Sequence, residues 1–352
     1  CRPAVHPGRL APPALHLSPH HTTSPRRPPP QVIPIADDGV ASRIHQNYHV
    51  AFLKDVVLPR ALDDHTFAAL NQITFVNNVQ IVAYACNDGS YLPALKAKLD
   101  DASLDDEARL LAIRLLNELC GLAKQLQLYN RTQFYRRFLE LGFFSPLAGC
   151  LLRPSQGLRL ATLDVLVTTV HHEPSMLRGW ILQQRPECEL LHALLRCVVG
   201  ADATGERPQV SEVLRALLDP EGMDGREQDE FLNLFYEDCV HKLAAPVAGK
   251  VSAGTAPING AAAAVDEAAD DVEWTDDSDG GVLGCRQNVC EILCFCVLKH
   301  SYRIKYFILR NNILVKVRPA AVYADDAPRF LLLLLAPPSP PAAAAAAPAA
   351  RP

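Results

Sequence analysis

No stretch of 18 apolar residues occurs in this 352-residue chain, so no segment has the continuity of a transmembrane helix. The run Phe330 to Leu335 is too short. Aromatic residues are scarce at 7%, and with Leu and Ala dominant the composition favours helix over sheet. Charge of one sign is also scarce. The formal balance is −5, which gives nucleic-acid binding no electrostatic footprint. There is no Gly-rich loop closed by Lys-Ser/Thr, no nucleophile elbow and no His-Glu-x-x-His zinc-protease motif. Those absences remove the usual signals for phosphate-loop, acyl-transfer and zinc-protease chemistry. The expectation is a chain that is not an enzyme and carries no cofactor.

What is present is a repeated apolar pattern. Leu116, Leu119, Cys120 and Ala123 are spaced by three, one and three, followed by Phe134 and Tyr135. A shift of 47 (163 − 116) gives Leu163, Leu166, Val167 and Val170, then Ile181 and Leu182. A further shift of 126 (289 − 163) gives Val289, Ile292, Leu293 and Cys296, then Phe307 and Ile308. The first four positions share one helix face, and the last two fall on a second helix after a polar break. Two-helix units of this period predict an all-α armadillo/HEAT-like repeat solenoid, which buries apolar faces by stacking and offers an extended surface to partners. The larger shift suits two repeat periods plus an insertion.

The pattern divides the chain. Residues 1–42, rich in Pro, His and Arg, are expected to be disordered or artefactual. Residues 43–246 are expected to be helical repeats. Within them Asp105 and Asp106 precede a long helix, as suits a helix N-terminus, and Gly142 and Pro146 mark a turn. Phe231 to Leu243 reads as amphipathic helix. Residues 247–284 are Ala-, Gly- and acid-rich, with eight acids and no base between Asp266 and Asp279. They are expected to be a disordered acidic insertion, because such a run self-repels and has little apolar surface. Residues 285–318 form a further repeat, and 319–352 a low-complexity tail expected to be truncated or misread. Because the chain opens on Cys1 rather than Met, a fragment is expected.

Eleven irregularly spaced cysteines, many inside apolar stretches, suit buried thiols in a reducing compartment better than a disulfide framework. Cys285, Cys290, Cys294 and Cys296 form the best metal candidate, but they alternate with Ile292, Leu293, Phe295 and Val297, as core cysteines do. His171 and His172 are adjacent, so on a helix they diverge by about 100° and read as helix-end residues. Asn130-Arg131-Thr132 matches a glycosylation acceptor only by its short motif, and a helix start explains it better. Lys299, Arg303, Lys305, Arg310, Lys316 and Arg318 form a basic cluster around Tyr306. A solvated helix face accounts for it; as a functional surface it would dock an acidic segment, including the chain's own insertion. The candidate partner-binding residues are therefore Lys299, Arg303, Lys305, Tyr306 and Arg310. Thr275 and Ser278, surrounded by acids, are candidate phosphorylation sites.

Longer motifs carry a resemblance. Ile44-His45-Gln46-Asn47-Tyr48 through Lys54-Asp55-Val56-Val57-Leu58-Pro59, Leu218-Asp219-Pro220-Glu221-Gly222-Met223, and the segment Phe231 to Pro246 are similar to the SMEK/Falafel family. So are Glu291 to Val297 and His300 to Ile308. This family comprises the regulatory subunits 3 of protein phosphatase 4. The resemblance spans residues 43–318 in order. It implies an armadillo-like fold, a non-catalytic role in substrate choice, and residence in nucleus and cytoplasm. The implied partners are the phosphatase 4 catalytic subunit, a companion regulatory subunit and phosphoprotein substrates, with neither nucleic acid nor membrane. Residues 1–42 do not resemble the family's pleckstrin-homology-like N-terminal domain, and further repeats are expected after 318. A different armadillo-type adaptor, for transport or the cytoskeleton, is the alternative reading.

Overall fold

The computed structural model describes residues 32–57, 63–200, 205–245, 280–300 and 302–311, with side chains of 280–286 left aside. Among them every regular element is helical. The order is α1 (Asp38–Phe52), α2 (Asp64–Asn87), α3 (Tyr91–Asp100), α4 (Asp106–Lys124), α5 (Leu128–Glu140), α6 (Phe144–Leu151) and α7 (Gln156–His172). There follow α8 (Pro174–Gln183), α9 (Glu189–Val199), α10 (Arg207–Leu218), α11 (Gly225–Leu234), α12 (Val240–Ala244), α13 (Gly280–His300) and α14 (Tyr302–Arg310). A π-helical turn, Leu53–Val57, extends α1, and another, Phe235–Cys239, joins α11 to α12.

The repeating unit has three helices rather than the expected two. The units are α3–α5, α6–α8, α9–α11 and α12–α14. They stack so that α3, α6, α9 and α12 form one row and α4, α7, α10 and α13 a second. In the third row α8 meets α11, and the turn after α11 meets α14. The pair α1–α2 packs on the first unit through α3, α4 and α5. This is an all-α helical repeat solenoid. Of the first helices of the units, α3, α6 and α12 have apolar faces too brief to show a period, while α9 shows one through Leu190, Leu191, Leu194 and Leu195.

The repeated positions are the core. All six of the first copy and all six of the third are buried, as are Leu163, Leu166, Val170 and Ile181 of the second; Val167 and Leu182 pack at its edge. Each large aliphatic residue so buried contributes about 1.5–3 kcal/mol. A further copy sits in α10. Val210, Val213, Leu214 and Leu217 repeat the spacing at another shift of 47 (210 − 163) and are fully buried. Their companions on the next helix have drifted to Phe231 and Leu232.

Helix starts follow carboxylate chemistry. Asp37, Asp63, Asp105 and Asp224 each accept a backbone N–H of the turn they cap, at 2.7–3.4 Å, which satisfies donors no intrahelical carbonyl can reach. Gly142, at φ 71°, turns the chain between α5 and α6 in a left-handed conformation that glycine adopts without strain. Two boundaries shift. Helix α1 already begins at Asp38, ahead of the expected 43, because Asp37 caps it. Helix α13 begins at Gly280 rather than 285. The segment Phe231 to Leu243 is not one continuous α-helix but the end of α11, a π-turn and α12.

Candidate partner-binding surface

The proposed basic cluster lies on α13 and α14, the last described helices. Ile304, Phe307 and Ile308 turn α14 toward the core, where Phe307 packs edge-on to His241 at 4.8 Å and near Tyr236. The opposite side therefore faces outward. Tyr302, Tyr306 and Leu309 lie on it at helical spacing and are 79%, 56% and 69% exposed, and Leu298 near the end of α13 is exposed too. The Arg310 guanidinium lies 6.0 Å from the Tyr306 ring, at the reach of a cation–π contact. Lys305 is half-buried.

Two members of the cluster are held in ion pairs. Lys299 pairs with Asp219 at 3.5 Å and with Glu221. Arg303 pairs with Asp229 at 2.6 Å and donates to the Asn233 side chain. These two cations fasten the last unit to the acidic flank of the preceding one. Lys316, Arg318, Thr275 and Ser278 lie outside the described residues. Tyr306 and Arg310 keep an outward position, and the surface they belong to is aromatic and aliphatic more than basic. Exposed aromatics with arginine are the composition of an interface anchor.

Beneath this surface runs a polar chain. The His300 Nε2–H donates to the Leu218 carbonyl at 2.6 Å, closing the end of α10. Its Nδ1 is thereby an acceptor, and the Tyr236 hydroxyl donates to it at 2.9 Å. The pairing assigns the neutral Nε2–H tautomer. Burial holds the His300 pKa below its ordinary value. It pushes the Tyr236 hydroxyl up and the Cys296 thiol, hydrogen-bonded to Tyr236, up to about 12. These groups are kept neutral and positional.

Other candidates resolve into structure. Cys290 and Cys296 are buried and Cys294 half-buried, while the Cys285 side chain lies outside the description. Among the described residues no cluster of His, Cys, Asp or Glu has metal-binding geometry. Helix α7 ends on His171 and His172, which diverge. His171 Nε2 meets Glu212 at 2.8 Å, and the His172 ring stacks on Tyr135 at 4.4 Å between centroids. Asn130, Arg131 and Thr132 open α5.

Sequence reasoning missed the buried arginines. Arg178 is fully buried, with Glu227 at 2.7 Å and the Ala216 and Gly222 carbonyls at 3.3 and 3.0 Å. Arg159 meets buried Glu206 at 2.9 Å and the Arg153 and Pro154 carbonyls at 2.7 and 2.8 Å. Arg109 and Arg207 donate to the carbonyls of Asp101 and Gly200 at 2.6 and 3.2 Å. Near the starts of α4 and α10 arginine thus closes the end of the preceding helix, where carbonyls accumulate negative potential, and near the start of α7 it holds the loop that follows α6. The signal was available. Arg109 and Arg159 each stand three residues before a buried pair, Ala112–Ile113 and Thr162–Leu163.

Comparison with known proteins adds to this geometry. A family model described as phosphatase 4 regulatory subunit 3 matches residues 30–324. The chain is 30% identical over 288 residues to a Dictyostelium discoideum protein named Suppressor of Mek1, covering 82% of this chain and 26% of that protein. It is 29% identical over 296 residues to the Drosophila melanogaster serine/threonine-protein phosphatase 4 regulatory subunit 3, covering 82% and 28%. The chain spans little more than a quarter of the length of these curated relatives.

Proposed function

The chain belongs to the phosphatase 4 regulatory subunit 3 family, and from that premise we propose that it serves as a non-catalytic scaffold in the phosphatase 4 complex. It binds the catalytic subunit or its companion regulatory subunit and helps bring phosphoproteins to them, in nucleus and cytoplasm. The mechanism is binding. Stacked units hold a surface rigid, and tethering raises the local concentration of a substrate near the catalytic subunit.

The observation that carries this reading is the family match over nearly all of the helical stack. The contact strip is assigned to Tyr302, Tyr306, Leu309 and Arg310, with Lys305 alongside; Lys299 and Arg303 hold the strip in place through their ion pairs. Phosphate on Thr275 or Ser278 would deepen the negative charge of the acidic segment that precedes α13 and tune that contact. The test is co-purification of the full chain with phosphatase 4 catalytic and companion subunits. Wild type recovers them, and Tyr306→Asp with Leu309→Asp loses at least about tenfold, as removal of an anchor predicts. A folded wild-type chain that recovers neither subunit, but does recover transport or cytoskeletal proteins, would replace this reading with that of another adaptor.

A further inference from the structure

We propose that the junction of α4 and α5 is a docking surface for an acidic segment of a partner protein that carries an apolar anchor, distinct from the α14 strip. The chain as a whole is acidic, at −5, yet its acids are unevenly placed. None lies within residues 39–54, 66–87 or 119–139, while these three segments carry Arg43, Lys54, Lys124, Arg131, Arg136 and Arg137. The fold brings the segments together. They supply α1, most of α2, and the end of α4 with nearly all of α5, and α2 packs on α1, α4 and α5. Asn47 of α1 donates to Asn78 of α2, and Asn78 donates to Gln125 at the end of α4, both at 2.8 Å. An acid-free region is thus assembled from three stretches far apart in sequence.

The cations at the junction are open. Lys124 and Arg136 are exposed, and among the described residues neither forms an ion pair. Arg131 donates to the Lys124 carbonyl at 3.4 Å, which ties the first turn of α5 to the end of α4. The bordering acids in the chain are Glu118 and Glu140, and Glu140 is taken by Arg137 at 3.3 Å. Lys299 and Arg303 differ, being neutralised by acids of the preceding unit. Between the open cations stand Leu128 and Tyr129, 65% and 72% exposed. Tyr129, Gln133 and Arg136 follow by four and three and share the outer side of α5. The Gln127 side chain makes no cap, so the first N–H groups of α5 add the positive end of the helix dipole.

Charge complementarity selects the occupant. Cations without acids beside them attract an acidic segment, and an exposed tyrosine beside arginine anchors an apolar side chain. Nucleic acid fits less well. Its binders line Lys and Arg along one stripe, whereas Gln125, Gln127, Leu128 and Gln133 separate the cations here. The chain's own acidic run, Asp266 to Asp279, is tethered too far away. It enters at Gly280 of α13, three helices along the row from α4, roughly 24–30 Å at about 8–10 Å per helix. Trp274, the aromatic residue of that run, lies six residues from Gly280 (280 − 274), which extended chain spans in about 20 Å. The occupant therefore comes from a partner.

Fluorescence anisotropy of the full chain with a fluorescein-labelled peptide of alternating Glu and Gly around one Trp tests the proposal. An acidic chain repels such a peptide unless a local face attracts it. Binding is expected at low salt, with affinity falling as salt rises. Lys124→Glu with Arg136→Glu weakens it at least about tenfold, and Tyr129→Ala at least about fivefold. Arg196→Glu, at an exposed arginine of α9, leaves it unchanged, as does Tyr306→Asp with Leu309→Asp. Should the glutamates unfold the chain by circular dichroism, Lys124→Gln with Arg136→Gln is expected to weaken binding in the same direction. A wild type that ignores the peptide, a junction variant that binds as wild type does, or an equal loss in the α14 variant overturns the proposal. Tighter binding of an oligothymidylate also overturns it, by making the face one for nucleic acid. So does an affinity gain of about tenfold on replacing the acids of Asp266–Asp279 by their amides, which would make the chain's own segment the occupant.

Discussion

The two described ends of the stack are built from opposite chemistries. At α1–α2 the contact is made by neutral amides, Gln46, Asn47, Asn77, Asn78 and Gln125, along a helix with no charged residue from Thr66 to Asn87. At α13–α14 it is made by ion pairs, Lys299 with Asp219 and Glu221 and Arg303 with Asp229, over a buried His300–Tyr236 link. Pairs of neutral amides carry no net charge for salt to screen. Exposed ion pairs are screened within a Debye length of about 8 Å at physiological salt. The ends therefore respond to different perturbations although both complete the same apolar stack.

The largest effect is expected at the amide end. Asn78→Ala removes two part-buried hydrogen bonds, with Asn47 and Gln125, each contributing about 0.5–1.5 kcal/mol, a loss read by denaturant unfolding and unchanged between low and high salt. A loss that disappears in high salt would break the contrast.

The next concerns pH at the other end. The folded His300 pKa is held below the ordinary value by burial, so below about 6.5 the unfolded chain takes up a proton that the folded one refuses. Stability is present above that value and falls as pH drops toward the lower folded pKa, by at most about 1.4 kcal/mol per pH unit for this residue. His172 and His192, also lowered by burial, add in the same direction. His300→Phe is expected to flatten part of this dependence in unfolding curves taken from pH 7.5 to 5.5, a window of about one unit either side of the ordinary histidine value. An unaltered slope would show that the His300 link does not couple to folding.

The smallest effect is expected from the surface pairs. Lys299→Ala and Arg303→Ala each cost no more than about 1 kcal/mol at low salt and nothing measurable near 1 M. A larger, salt-resistant loss would mean that these residues act through packing rather than charge.

Much of the fold was legible because burial by stacking writes a period into the chain. Leu116, Leu163 and Val289 mark the same place in three units, and all are fully buried. The copy at Val210 escaped notice because its partner helix is displaced to Phe231 and Leu232. Helix α9 was legible through Leu190, Leu191, Leu194 and Leu195, whereas the short helices α3, α6 and α12 escaped because a helix of one to three turns shows too few apolar positions to establish a period. The candidate surface was legible only in part. Tyr306 and Arg310 do face outward, but Lys299 and Arg303 are held by acids far away in sequence, Asp219, Glu221 and Asp229. Sequence spacing on one helix cannot reveal which charges a neighbouring unit will neutralise. The buried clasps of Arg159 and Arg178 were missed for the same reason, since composition assigns arginine to the surface until a partner is placed beside it.

The central claim is that the α14 strip is where the phosphatase complex docks. Hydrogen–deuterium exchange of the full chain, alone and with phosphatase 4 catalytic and companion subunits, tests it most directly. The account predicts added protection over Tyr302–Arg310 and the adjoining end of α13, with α4 and α7 unchanged. Protection confined to other helices, with Tyr302–Arg310 exchanging as in the isolated chain, would contradict it.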